Sequence, residues 1–181
     1  MTHLNSQARS TQIAAFLLAA VLAVVAVPAF AADSNKNEDS KTSGSVAALD
    51  GVKEAKTVFL VKKDSAASTA GFLKAIRGTH QGILDQGVAS DVVVVFLGPA
   101  VQYLSTEPSD ELAKEHGDSL QSIVETAAAL KELGVRMEVC GAATKHFGVD
   151  NSTILDEMDV VDNGFISLIG WQSQGHVPMT F

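Results

Sequence analysis

A single cysteine, Cys140, excludes any disulfide within the chain. Basic residues are in the minority, 13 Lys and Arg against 21 Asp and Glu, for a net charge of -8. That balance argues against nucleic acid and anionic membrane surfaces as partners, because both require clustered positive charge. Neither G-x-x-x-x-G-K-[ST] nor G-x-G-x-x-G occurs, so Gly98-Pro99-Ala100 reads as a strand-ending turn and not a phosphate cradle. The G-x-S-x-G elbow of a serine nucleophile is missing as well. His146 follows Cys140 by six positions, but no second cysteine or carboxylate cluster stands nearby to complete a zinc site. No cofactor or metal is therefore expected. The acids are scattered, and no internal repeat is visible.

What is present begins with an export signal. Met1–Gln12 is polar with one basic residue, Arg9, and no acid. Ile13–Val27 is an unbroken apolar run, ended by Pro28 and followed by Ala29-Phe30-Ala31. This is the n-region, h-region and A-x-A pattern of a secretory signal, with cleavage expected after Ala31. The run is short of the ~20 residues that span a bilayer, so an uncleaved anchor is the rival reading. Residues 1–31 are thus read as signal peptide, 32–50 as a tether and 51–181 as one domain. Asp33–Ser45 has no apolar residue and cannot offset its ordering entropy by burial. The mature chain is expected in a periplasm or outside the cell, with no membrane attachment after the signal is removed.

The remainder alternates strands and helices. Thr57–Val61 and Asp91–Leu97 are apolar throughout after their first residue, as strands buried on both faces must be. Asp64-Ser65 offers a cap for a helix over Ala66–Asp85, in which Gly78 and Gly82 predict a break into two pieces. A turn into a helix is expected at Thr106–Glu111. A second helix follows from Asp118 to Leu133, with an i, i+3, i+4, i+7 stripe and Gly134 as its terminating glycine. Val135–Val139 is the third strand. A short helix is expected over Ser152–Met158, a small strand at Val160-Val161, and a buried strand or strand-helix junction at Phe165–Ile169. Gly170–Gly175 is expected as a loop or short helical turn, and His176–Phe181 as an edge strand because of Pro178. His80 and His116 read as helix surface residues. This order predicts an α/β fold, a three-layer α/β/α sandwich around a mainly parallel sheet of about five strands.

Cys140 stands where the third strand meets a small-residue turn, Gly141-Ala142-Ala143, and the first turn of a helix. A helix N-terminus favours thiolate, and Lys145 and His146 stand close enough in sequence to assist. The alternative is a small packed hydrophobe, a common fate of free cysteine. Gly141, Trp171 and Gln172 are candidates for a pocket or interface.

Several segments, in this order, carry a resemblance: Val-Val-Phe-Leu-Gly-Pro-Ala-Val at 94–101, Gly-Val-Arg-Met-Glu-Val-Cys at 134–140 and Gly-Trp-Gln-Ser-Gln-Gly at 170–175. From about Lys56 to Phe181 the chain resembles the DsrE/DsrF-like (YchN-like) family, and in particular its small exported members. The resemblance implies an α/β/α sheet in trimers or hexamers. It also implies a cysteine at the strand end that carries sulfur as a persulfide, with a sulfur donor or acceptor protein or a small sulfur compound as partner. Only Cys140 matches that role. The leading expectation is an exported sulfur- or thiol-handling protein. The alternatives are a non-enzymatic oligomeric binding or assembly module with an unreactive cysteine, and a redox sensor that pairs Cys140 between chains.

Overall fold

The computed structural model describes residues 47–180. The signal peptide, its cleavage point and the tether as far as residue 46 lie outside the described residues. The elements in order are β1 (Glu54–Val61), α1 (Ala66–Asp85), β2 (Ala89–Phe96), a 3-10 turn (Gly98–Tyr103) and α2 (Asp110–Glu132). They continue with β3 (Arg136–Cys140), α3 (Gly141–Phe147), a 3-10 turn (Asn151–Thr153), β4 (Asp159–Val161), α4 (Gly164–Ser173) and β5 (Val177–Thr180).

The sheet runs β4-β3-β2-β1-β5, and every pairing is parallel. The chain therefore steps outward from β1 to β4 and then returns to the free edge of β1. With right-handed crossovers, that reversal of direction moves the last connecting helix, α4, to the opposite face from α1 and α2. Phe59 of β1 meets Phe72 of α1 edge-on at 6.2 Å, and α1 packs along α2. On the other face α4 lies across β1, β2, β3 and β5. Val92, Val93, Val94 and Val95 of β2 are sealed between the two layers. At about 1.5–3 kcal/mol per fully buried side chain, this run is a principal source of stability. Pro178 sits in β5, which pairs only with β1, as an edge proline must.

Several local expectations are corrected. Phe165–Ile169 is helix and not strand, because Asn163 caps it by accepting from the Phe165 amide at 2.9 Å. The helix extends through Trp171 to Ser173, so of the loop or short helical turn expected over Gly170–Gly175 the helical alternative holds as far as Ser173. α1 is unbroken at Gly78 and Gly82, since Ala70, Leu73, Ile76 and His80 hold one continuous buried face. His80 is consequently interior, 3 % exposed, with Nδ1 at 2.9 Å from Ser90 Oγ. Over Ser152–Met158 there is only the 3-10 turn Asn151–Thr153, where Asp150 accepts from the Ser152 amide. The two helical stretches after Thr106 are one helix, α2, kinked at His116 (φ -126°, ψ 15°) and capped by Ser109. Gly134 takes φ +80° after α2, the left-handed conformation that a side chain would resist.

Tyr103, the only tyrosine, ends the first 3-10 turn, and its hydroxyl donates to the Asp64 carbonyl at 2.8 Å. Burial raises its pKa above the ordinary tyrosine range, and the nearby Asp64 charge adds to that. A raised pKa means that the contribution to stability is complete below the ordinary tyrosine value. It is lost as pH rises through the folded one. A spectrophotometric titration should show tyrosinate forming at higher pH in the folded protein than in denaturant, and coincident curves would refute this.

Candidate functional site

The carboxyl ends of β1, β2 and β3 open into a pocket of about 560 Å³. Open parallel sheets hold ligands at this end, because loops and helix N-termini converge there. Cys140 is the last residue of β3 and lines the pocket, although only 2 % of it is exposed. The chain turns directly from it into α3. Gly141 is the first residue of that helix, and a side chain there would meet the Val161 carbonyl at 3.1 Å. A Cβ on Gly164, the first residue of α4, would stand 3.0 Å from both Cys140 Cβ and Leu97 Cδ2. Glycine alone lets α4 come down onto the cysteine. The turn before α4 is tied to α3 by the Ala142 amide, which donates to the Asp162 carbonyl at 3.2 Å.

The walls are mostly apolar: Leu60 and Leu97 at the strand ends, Ala142, Ala143 and Phe147 on α3, and Phe165 on α4. The polar lining consists of Lys62, His146 and Asn163, with no carboxylate. Lys62 leaves the end of β1 and lies along Gly98, whose φ of +58° opens the turn; its Cε and Cγ stand 3.1 Å from where a Cβ would be. His146 meets Phe147 edge-on at 4.9 Å.

Of the residues expected at the site, the structure brings Cys140 and His146 into one wall. Lys145 is exposed on α3 and does not line the pocket. Gln172 is exposed on α4, bonded to the Leu168 carbonyl of its own helix. Trp171 faces the sheet, where its indole Nε1 donates to the Glu138 carboxyl at 3.1 and 3.2 Å and the Arg136 guanidinium lies 4.6 Å above its ring. Lys62 was not among the residues expected at the site. Nor was Glu138, the one acid of β3 and only 7 % exposed. A lone acid at an inward position was the available signal, since buried carboxylates require partners.

His176, at the start of the last segment, is buried beside this cluster. Its Nδ1 is 3.2 Å from the Trp171 carbonyl and its Nε2 3.2 Å from Asp91 Oδ2, though the second contact is not aligned as a hydrogen bond. Among the described residues no three His, Cys, Asp or Glu side chains gather as a metal ion would require. No helix among them is long and apolar enough to cross a membrane. A second hollow, of about 610 Å³ and lined by Arg77, Gln81 and Glu132, shares no residue with the Cys140 pocket.

This is a parallel α/β domain with its one thiol at the carboxyl end of an interior strand. The chain belongs to the DsrE/DsrF-like family, whose model matches residues 55–181. MTH1491, a protein of unknown function from Methanobacterium thermoautotrophicum, is similar in fold, with 17 % identity and a TM-score of 0.55 over 70 % of this chain and 99 % of that one. The YchN protein of E. coli is similar at 17 % identity and a TM-score of 0.51, over 70 % and 99 % of the two chains. No curated protein matches the chain.

The contact of Gly164 yields a prediction. Gly164→Ala should cost about 1–3 kcal/mol, as overpacking does. Gly170→Ala, on the same helix with nothing within 4 Å of its Cβ position, should be neutral or raise stability by up to about 1 kcal/mol. Urea unfolding of both variants tests this, and equal effects would refute the close approach.

Proposed function

We propose that the protein carries sulfane sulfur as a persulfide on Cys140. The observation that carries this reading is the position of the chain's only thiol in the wall of an open, mostly apolar pocket with Lys62 and His146. Membership in the DsrE/DsrF-like family supports a sulfur-relay type of role. Apolar walls suit a sulfur chain, which is weakly hydrated, and Lys62 suits the negative charge at its end. The donor is a polysulfide or a persulfide on a partner protein. The Cys140 thiolate attacks the outer sulfur of R–S–SH, the donor S–S bond breaks, and R–S⁻ leaves with a proton from solvent or His146. Cys140–S–SH results. An acceptor thiolate then attacks the outer sulfur and releases Cys140 as thiolate, so the cycle needs no external oxidant or reductant. We propose further that the carrier works outside the cytoplasm, after export.

One specific feature favours a second reading, an oligomeric assembly module with a packed cysteine. Cys140 is 2 % exposed, while Phe165, Ile166 and Ile169 on the outer side of α4 are 63 %, 68 % and 65 % exposed. An apolar strip of that kind suits a second copy of the chain.

Intact-mass measurement after incubation of native protein with polysulfide separates the two. The carrier should gain sulfur, Cys140→Ser should gain none, and Lys62→Ala should load about three- to ten-fold more slowly through loss of local positive charge. Absence of added sulfur on the wild type, or equal addition to Cys140→Ser, would exclude the carrier.

A further inference from the structure

Glu138 and Cys140 are two residues apart on β3, so both side chains point to the α4 face. α4 answers with three residues on one side of its helix. Gly164 rests on Cys140, Ser167 Oγ donates to Glu138 Oε2, and Trp171 Nε1 donates to both carboxyl oxygens. Apolar contact with the core is confined to a few of its residues, Leu168 and Trp171 among them. Of its aliphatic side chains only Leu168 is buried, whereas Ile166 and Ile169 face outward. The polar link is therefore a major part of what holds α4 down. Because helix and strand are each stiff, it fixes the height of Gly164 above the sulfur-bearing residue.

We infer that Glu138 is a positioning residue, anchoring α4 so that Gly164 covers Cys140 and limits how fast a reagent or sulfur donor reaches the thiol. The inference deepens the reading of Cys140 as the reacting thiol and rests on it for its biological meaning. Glu138 does not touch the pocket; it acts through α4. Replacing it with alanine leaves Ser167 and Trp171 without their acceptor at a buried position and loosens the helix over the cysteine. Glutamine keeps an acceptor at nearly the same place and should preserve the arrangement.

The test is the rate at which iodoacetamide alkylates native protein, read by intact mass, across a series of low urea concentrations. Glu138→Ala should be alkylated about ten-fold faster than wild type, and Glu138→Gln within about three-fold of it. In the alanine variant the increment should be flat in urea below the unfolding transition, as local opening requires; a merely structural lesion would make it track global unfolding. Should Glu138→Ala not fold, Ser167→Ala and Trp171→Phe each remove one donor and carry the same prediction with a smaller increment. Unchanged alkylation in the folded variants would overturn the inference, as would equal acceleration by alanine and glutamine or a rise that follows global unfolding. Alkylation needs no sulfur donor, so failure of sulfur loading and failure of this positioning role are distinguishable.

Discussion

A parallel sheet must be covered on both faces, and here one face is covered by a single ten-residue helix. Most of what is distinctive in the structure follows from that constraint. A helix so short gains little from apolar area alone, and three of its large apolar side chains are mostly exposed. It is held instead by close approach at one end and polar anchorage along its length. Gly164 makes the approach possible at Cys140, and Glu138 supplies the anchorage to Ser167 and Trp171. A buried acid is costly without partners. With donors from two turns of α4 it ties the second layer to the sheet.

The same constraint shapes the pocket. The opposite face has long helices, α1 and α2, packed side by side over the valine run of β2. The carboxyl ends of the strands are less fully closed, and there α3, the β1 end and the first turn of α4 surround Cys140. Low exposure and a place in a pocket wall are compatible because α4 shields the thiol from one side while the pocket opens on another. The thiol is thus a member of the buried core that also stands at the wall of a pocket.

Much of this was legible in the residues. The runs Thr57–Val61 and Asp91–Leu97, the stripe from Leu120 to Leu133, and Gly134 all carry periodic or conformational signals within a single element, and those elements form where expected. Cys140 at a strand end could be read for the same reason. What could not be read depends on pairing across the chain. Lys62 reaches the cysteine pocket only because β1 lies beside β2, which lies beside β3. Glu138 finds partners 29 and 33 residues away. Phe165–Ile169 misled because apolar residues on both sides of a segment imitate a buried strand, whereas here they mark a helix with one apolar side outward. His80 looked like a surface residue until Ser90 provided a partner inside.

The account stands or falls on whether the folded protein holds sulfane sulfur at Cys140. The most direct measurement is cyanolysis: native protein exposed to polysulfide, freed of small molecules and treated with cyanide, which removes the outer sulfur of a persulfide as thiocyanate. The account predicts about one thiocyanate per chain, with the Cys140 thiol restored for alkylation. Thiocyanate at background level, or the same amount from Cys140→Ser, would contradict it.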